Sequence, residues 1–287
     1  MTEKHQIVRP RRSVLYVPAN RQRAIEKAAE TRADVIILDL EDAVAPQSKA
    51  EARTNAAAAA RSGLFRAKEL VVRINGLDTD EAVEDLVAAA HADAILIPKI
   101  NGPEDVRRGE AGIAAIATGG EPALWAMIET PKAILNIAAI AAERERSGSR
   151  LACFVLGTND LAKDTRIQPT ASRLAMLPWI SQTVLAARAY DLVVIDGVFN
   201  GLKDPEGLMA ECRQGRGLGF DGKTLIHPDQ IEPANQIFAP GEAEIAEARA
   251  IVAAFALPEN AGKGVITVNG RMTELLHLAM ARRVLAF

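Results

Sequence analysis

Eight short apolar runs, separated by helix-forming stretches, constrain what this chain of 287 residues can become more than any other feature of it. They are Ser13–Val17, Val35–Leu40, Leu70–Ile74, Ala94–Pro98, Leu124–Ile128, Leu151–Leu156, Leu192–Ile195 and, more weakly, Gly219–Ile226. Runs this short that are apolar throughout, rather than alternating, read as strands buried on both faces. Parallel sheets sandwiched by helices provide such burial. Helical patterns fill the gaps, among them Arg21–Glu30, Ser48–Arg61, Asp80–Ala90 and Pro131–Arg144. The alternation predicts an α/β fold, a (β/α)8 TIM barrel. An open doubly wound sheet is the alternative, but no Gly-x-Gly-x-x-Gly turn comes after the first run, which weakens its dinucleotide-binding version. Pro131 suits the first turn of a helix, and Asp78 or Thr79 is expected to cap the helix after the third strand.

The barrel is expected over residues 1–240. Beyond it, a helix near Glu242–Phe255, the run Val265-Ile-Thr-Val268, an Asn-Gly turn at 269–270 and a last helical stretch ending at Phe287 form a C-terminal helical extension over 241–287. Eight βα units do not need this extension, which is expected to pack on the barrel or on a neighbouring subunit.

Composition excludes several classes. With 49% hydrophobic and 25% charged residues the chain is of ordinary globular make-up. A net charge of −3 offers no general attraction to nucleic acid or to an anionic membrane. The cluster Arg9-Pro-Arg-Arg12 reads as a solvated tail. No apolar stretch approaches the roughly 20 residues of a membrane span. The first residues lack the apolar core of a signal peptide, so a cytoplasmic protein is expected. Cys153 and Cys212 have neither metal-site nor disulfide-scaffold spacing and are read as packing or surface residues.

The residues just past each run carry the chemistry. The strand exits hold Asn20, then Asp39, Glu41 and Asp42, then Arg73 and Asn75, Lys99, Glu129, Asn159 and Asp160, Asp196 and His227. In a barrel these positions gather at one mouth. Taken singly, Asp39, Lys99 and Asp196 are expected to make structural ion pairs; as a set, the residues point to a site. Glu129 and Asp160, carboxylates at the ends of neighbouring buried strands, make a seat for a hard cation such as Mg²⁺. Gly157 to about Ser172 is expected to be a long charged loop that gates or walls the pocket.

Six segments, Arg12-Ser-Val-Leu-Tyr-Val-Pro-Ala-Asn20, Asp34-Val-Ile-Ile-Leu-Asp-Leu-Glu-Asp-Ala-Val44, Val72-Arg-Ile-Asn75, Ile128-Glu-Thr-Pro131, Gly157-Thr-Asn-Asp-Leu161 and Gly222-Lys-Thr-Leu-Ile-His-Pro228, run in order through nearly the whole barrel. Together they resemble the CoA-ester lyases related to the citrate lyase β subunit, which include malyl-CoA and citramalyl-CoA lyases within the HpcH/HpaI aldolase/citrate lyase group. The resemblance implies a Mg²⁺-dependent barrel, trimeric or hexameric, with acyl-CoA and a small α-keto acid as its partners. It makes Glu129 and Asp160 metal ligands, Glu129 also a substrate contact, and Arg73 the substrate-binding arginine. It places CoA at the start of the first helix, on Arg21 and Lys27.

The chemistry agrees with those roles. A metal can chelate a carboxylate and an adjacent hydroxyl oxygen, and Arg73 can hold a carboxylate or a developing enolate oxygen. Glu41 and Asp42 are candidates for orienting Arg73 or a metal-bound water. His227 is read as a structural or CoA-side contact. One departure stands out. Near the C-terminus, family lyases carry a catalytic acid/base aspartate, often reaching a neighbouring subunit's site. This chain has Met272-Thr-Glu274, so the catalytic carboxylate becomes Glu274, one methylene longer. The expected reaction is cleavage or formation of the C–C bond of a 3-hydroxyacyl-CoA (malyl-, citramalyl- or citryl-CoA), giving acetyl-CoA and an α-keto acid. The alternatives are hydrolysis of the malyl-CoA thioester, a CoA- or keto-acid-binding subunit of a larger lyase, and an aldolase acting on CoA-free hydroxy-keto acids.

Overall fold

The computed structural model describes residues 9–116 and 121–286. The first eight residues, expected to hold no leader, and Phe287 lie outside the described residues. The chain forms two compact units, one spanning Arg11–Phe238 and the other containing residues 239–286 with Arg9 and Pro10.

The first unit is a closed barrel of eight parallel strands in sequential order. They are β1 (Ser13–Pro18), β2 (Val35–Asp39), β3 (Glu69–Arg73), β4 (Ala94–Ile97), β5 (Ala123–Ile128), β6 (Leu151–Leu156), β7 (Val193–Asp196) and β8 (Gly222–Leu225). Around them lie α1 (Gln22–Glu30), α2 (Lys49–Ser62), α3 (Ala82–Ala89), α4 (Pro103–Ile116), α5 (Pro131–Ala142), α6 (Thr158–Thr165), α7 (Leu177–Ala189), α8 (Pro205–Leu218) and α9 (Ile231–Phe238). The (β/α)8 expectation therefore holds.

Alternation along each strand sorts the side chains into two cores. Ile36, Leu38, Val72 and Ile95 pack with helix residues such as Ile25, Ile137 and Ile180. Their neighbours Val35, Ile37, Val71, Leu96, Trp125, Met127 and Val155 form a separate cluster, the filled lumen. Continuing the register places Tyr16, Asp39, Arg73 and Glu129 on the lumen side at the C-terminal ends of their strands. That is the end where sites of this fold are built.

Several sequence expectations need correction. Residues after β6 form α6 at once, with Thr158, Asn159 and Asp160 in its first turn, so the expected long loop shrinks to residues 166–173, of which Ile167 to Ala171 do wall a cavity. Neither Asp78 nor Thr79 caps α3: Asp78 pairs with Arg108 and the Thr79 hydroxyl bonds the Gly76 carbonyl. The tail reading of the N-terminal arginines also fails. Arg11 makes a two-pronged bond to Glu69 and stacks over Trp125, and Arg12 grips Asp34. Both cysteines are buried and free.

The second unit holds α10 (Glu242–Ala256), β9 (Val265–Val268), β10 (Arg271–Glu274) and α11 (Leu275–Leu285). β9 and β10 pair antiparallel about the Asn-Gly turn, whose two residues both have positive φ (50° and 76°) as a tight two-residue hairpin turn requires. Arg271 to Glu274, expected to belong to the last helical stretch, form a strand instead, because the hairpin turn folds them back on β9. No helix among the described residues is long and apolar enough to cross a membrane.

Candidate active site

The site grows from the lumen ends of β2, β3 and β5. Arg73 is buried and held side-on by Asp39: Nε donates to Oδ1 at 2.8 Å and Nη2 to Oδ2 at 2.5 Å. Asp39 is itself pinned, since the Glu41 and Ala43 backbone N–H groups donate to its two oxygens. Arg73 Nη1 lies 2.9 Å from Glu41 Oε2, and the guanidinium stacks on the Tyr16 ring, 5.0 Å from its centroid. Burial works against the Arg73 charge, but Asp39 and Glu41 outweigh it and hold the group firmly protonated. Of the two residues expected to orient Arg73, Glu41 does so directly. Asp42 sits 3.8 Å away with its side chain 60% exposed, so the second grip on Arg73 comes from Asp39 instead.

Glu129 follows β5 and is 1% exposed. Its backbone is fixed from the C-terminal side, where Thr130 caps α5 through Ala133 N and donates to Asn101 Oδ1. Oε1 accepts the Lys99 backbone N–H at 2.8 Å, and Oε2 is buried without a hydrogen-bond partner. Burial, then the Glu41 charge, pushes the Glu129 carboxyl up to about 7, with Asp160 adding to the rise against the Lys99 hydrogen bond. Gly157, on the adjacent strand exit, leaves room for this carboxylate: a Cβ there would collide with Glu129 Cβ and Oε2.

Asp160 lies in the first turn of α6, where the helix dipole favours a negative charge, with Lys163 Nζ at 2.6 Å. A cavity of about 320 Å³ opens over Tyr16, Asp39, Asp42, Arg73, Met127, Gly157 and Asp160. A second, of about 230 Å³, shares its Thr158, Asn159 and Val198 walls. Among the described residues no group of three or more His, Cys, Asp or Glu forms a cation cage. Mg²⁺ does not require one: it takes one or two carboxylates and keeps positions for water and substrate. The unpartnered Oε2 of Glu129, beside a second carboxylate, fits that donor set.

Other expected residues lie elsewhere. Asp196 does not face the lumen; Ile195 does, and Asp196 is buried outside the strands with Arg173 and Lys223. His227 caps a short turn, its Nδ1 accepting from Asp229 N. Arg21 and Lys27 are exposed just before and along α1. Glu274 ends β10 in the second unit, and its backbone N–H donates to His277 Nδ1. Sequence reasoning passes over Tyr16 and Met127, although alternation with Val14 and Trp125 marks both as lumen residues. It treats Lys99 as a simple ion pair, whereas Lys99 touches two carboxylates of the site.

Residues 12–228 match the family model described as HpcH/HpaI aldolase/citrate lyase. The chain is similar to a (3S)-malyl-CoA thioesterase of Cereibacter sphaeroides, 47% identical over 279 residues, which cover 96% of this chain and 94% of that one. It is also similar to an L-malyl-CoA/beta-methylmalyl-CoA lyase of the same species, 36% identical over 299 residues, covering 95% and 93%. Among solved structures, CitE from Mycobacterium tuberculosis in complex with magnesium, acetoacetate and coenzyme A superposes with a TM-score of 0.75 at 28% identity, covering 98% of both chains.

Proposed function

The chain belongs to the HpcH/HpaI aldolase/citrate lyase family, and from that membership we propose that it is a Mg²⁺-dependent enzyme hydrolysing the thioester of a malyl-CoA-class substrate. The observation that carries the metal-centred part is the buried Glu129 Oε2, left without a partner near Asp160. The choice of hydrolysis rests on the more similar of the two curated relatives, together with Glu274 standing where the family lyases carry aspartate.

Glu129 and Asp160 would hold the Mg²⁺, which when bound supplies a Lewis acid and a template for the substrate's oxygens. Arg73, with Asp39 engaging two of its five N–H positions and the Glu41 carboxylate 2.9 Å from Nη1, keeps donors to grip an oxygen of the acyl group. Its donors are fixed before substrate arrives, so little reorganisation accompanies charge development. Arg21, Lys27 and the start of α1 are assigned to the CoA phosphates. In the net reaction the oxygen of water bonds to the acyl carbon and the C–S bond breaks. One proton goes to sulfur, and the acid leaves as a carboxylate with release of the other. Glu274 is assigned the proton transfer. The family resemblance supports a homotrimer or homohexamer, which light scattering tests.

Cleavage of the C–C bond is the second reading, favoured by the similarity to the malyl-CoA/beta-methylmalyl-CoA lyase. An assay with Mg²⁺ on malyl-, citramalyl- and citryl-CoA, following thiol and keto acid together, separates the two. Free thiol without keto acid, lost in Glu129→Ala and Asp160→Ala, supports hydrolysis. Keto acid with acetyl-CoA replaces it by the lyase, and no turnover on any of the three sinks both.

A further inference from the structure

Lys99 follows β4 and has φ +55°, in the left-handed region that a glycine occupies without strain. A lysine persists there only where its surroundings over-determine it, and such outliers gather at functional sites. This conformation delivers two bonds. The Lys99 backbone N–H donates to Glu129 Oε1 at 2.8 Å, and Nζ donates to Glu41 Oε1 at 2.8 Å. The other Glu41 oxygen lies 2.9 Å from Arg73 Nη1. One residue therefore ties the carboxylate assigned to Mg²⁺ to the carboxylate that flanks the substrate arginine.

We propose that Lys99 is a positioning residue with two separable duties: its peptide N–H reserves Glu129 Oε2 for the cation, and its ammonium holds Glu41 against Arg73. The inference rests on the reading of Glu129 as a Mg²⁺ ligand. With Oε1 occupied by a peptide N–H that the surrounding bonds hold in place, Glu129 presents a single oxygen in one orientation. With Glu41 shared between Lys99 and Arg73, its charge is spread over two cations and does not compete for the metal. Partners of this kind, bonded to the ligand rather than to the metal, typically matter by about 10- to 100-fold in metal affinity or activity. The side chain is 50% exposed, so its removal leaves no hole in the core.

Three variants separate the duties. Lys99→Gly keeps the left-handed backbone and its N–H but deletes the ammonium. Lys99→Val disfavours that backbone and swings the N–H away. Lys99→Arg keeps a cation. The readouts are Mg²⁺ titration calorimetry on metal-free protein, kcat and KM on malyl-CoA, and the melting temperature. Lys99→Val is expected to bind Mg²⁺ about tenfold more weakly or worse. Lys99→Gly is expected to keep Mg²⁺ affinity within about threefold while kcat falls about tenfold at little-changed KM, and Lys99→Arg to recover most of kcat. Mg²⁺ affinity of Lys99→Val equal to wild type, or full kcat in Lys99→Gly, overturns the inference. Wild-type protein that binds Mg²⁺ in this Lys99-dependent way yet leaves malyl-CoA intact sinks the substrate reading alone. Wild-type protein that binds no Mg²⁺ overturns both.

Discussion

Arg73 and Asp39 form a side-on ion pair inside the barrel, two parallel hydrogen bonds of 2.8 and 2.5 Å between residues 34 positions apart. The pairing fixes the plane of the guanidinium, which a lysine cannot reproduce because an ammonium has no planar fork. Arg73→Lys is therefore expected to fold and to bind Mg²⁺, while kcat/KM on the CoA ester drops about 100-fold. Steady-state kinetics beside calorimetry check this; wild-type kcat/KM in the Arg73→Lys variant removes Arg73 from substrate binding.

Glu129 gives the metal-free protein a pH signature. Its carboxyl is raised from the usual 4.5 to about 7 by burial and by Glu41. A raised acid contributes stability fully below its unfolded value, and that contribution is lost as pH rises through the folded one. Mg²⁺ must displace this proton. Apparent Mg²⁺ affinity should climb by about tenfold per pH unit up to about 7 and then level off, with proton release on binding seen as a buffer-dependent enthalpy. Flat affinity across that window separates Glu129 from the metal.

Asp196 is expected to matter for stability and not for the chemistry. Burial pushes its carboxyl up, but Lys223 and Arg173 together outweigh burial and bring it below the usual 3.8. A depressed acid stabilises the fold above its unfolded value and loses that contribution as pH falls through the folded one, so this part of the stability disappears only under pH 3.8. Asp196→Asn leaves two buried cations short of a partner, at a cost of about 3–5 kcal/mol. Urea denaturation at neutral pH measures it; a midpoint unchanged from wild type contradicts the buried pairing.

Glu274 is where product choice can be probed. Glu274→Asp shortens the carboxylate by one methylene and restores the residue type that family lyases carry. Because misplacing a catalytic group by about 1 Å changes rates by roughly 100-fold, the ratio of keto acid to free thiol should rise in this variant. An unchanged ratio, with unchanged total rate, detaches Glu274 from the proton transfer.

The barrel is legible in the sequence because its signal is local: each strand is a continuous apolar run, and counting by twos from Trp125 through Met127 reaches Glu129. The same count turns Asp196 away from the mouth, since Ile195 before it faces the lumen. Less legible are features whose partners are distant in sequence. Arg11 and Arg12 look like a charged tail until Glu69 and Asp34 are folded beside them. The Asp39 grip on Arg73 has no local pattern either. α6 reads as a loop because Asn, Asp and Thr favour loops and helix starts alike, and its apolar buried face amounts to Leu161 and Ala162.

The N-terminal strand also dictates the order in which the barrel can be finished. β1 meets β8 through three register pairs, Ser13 with Lys223 to Leu15 with Leu225, while the Ser13 hydroxyl bonds Asn235, 222 positions downstream. Gly222 has no side chain because the Arg11 carbonyl occupies that space. On the ribosome β1 must therefore wait for nearly the whole barrel to emerge, its outer edge unpaired in the meantime. Ring closure is thus a late, entropically expensive event of folding. Once made, the ring holds β8 by two short joins, three register pairs to β1 and two to β7, and amide exchange along Lys223 to Leu225 is the place to see the cylinder open.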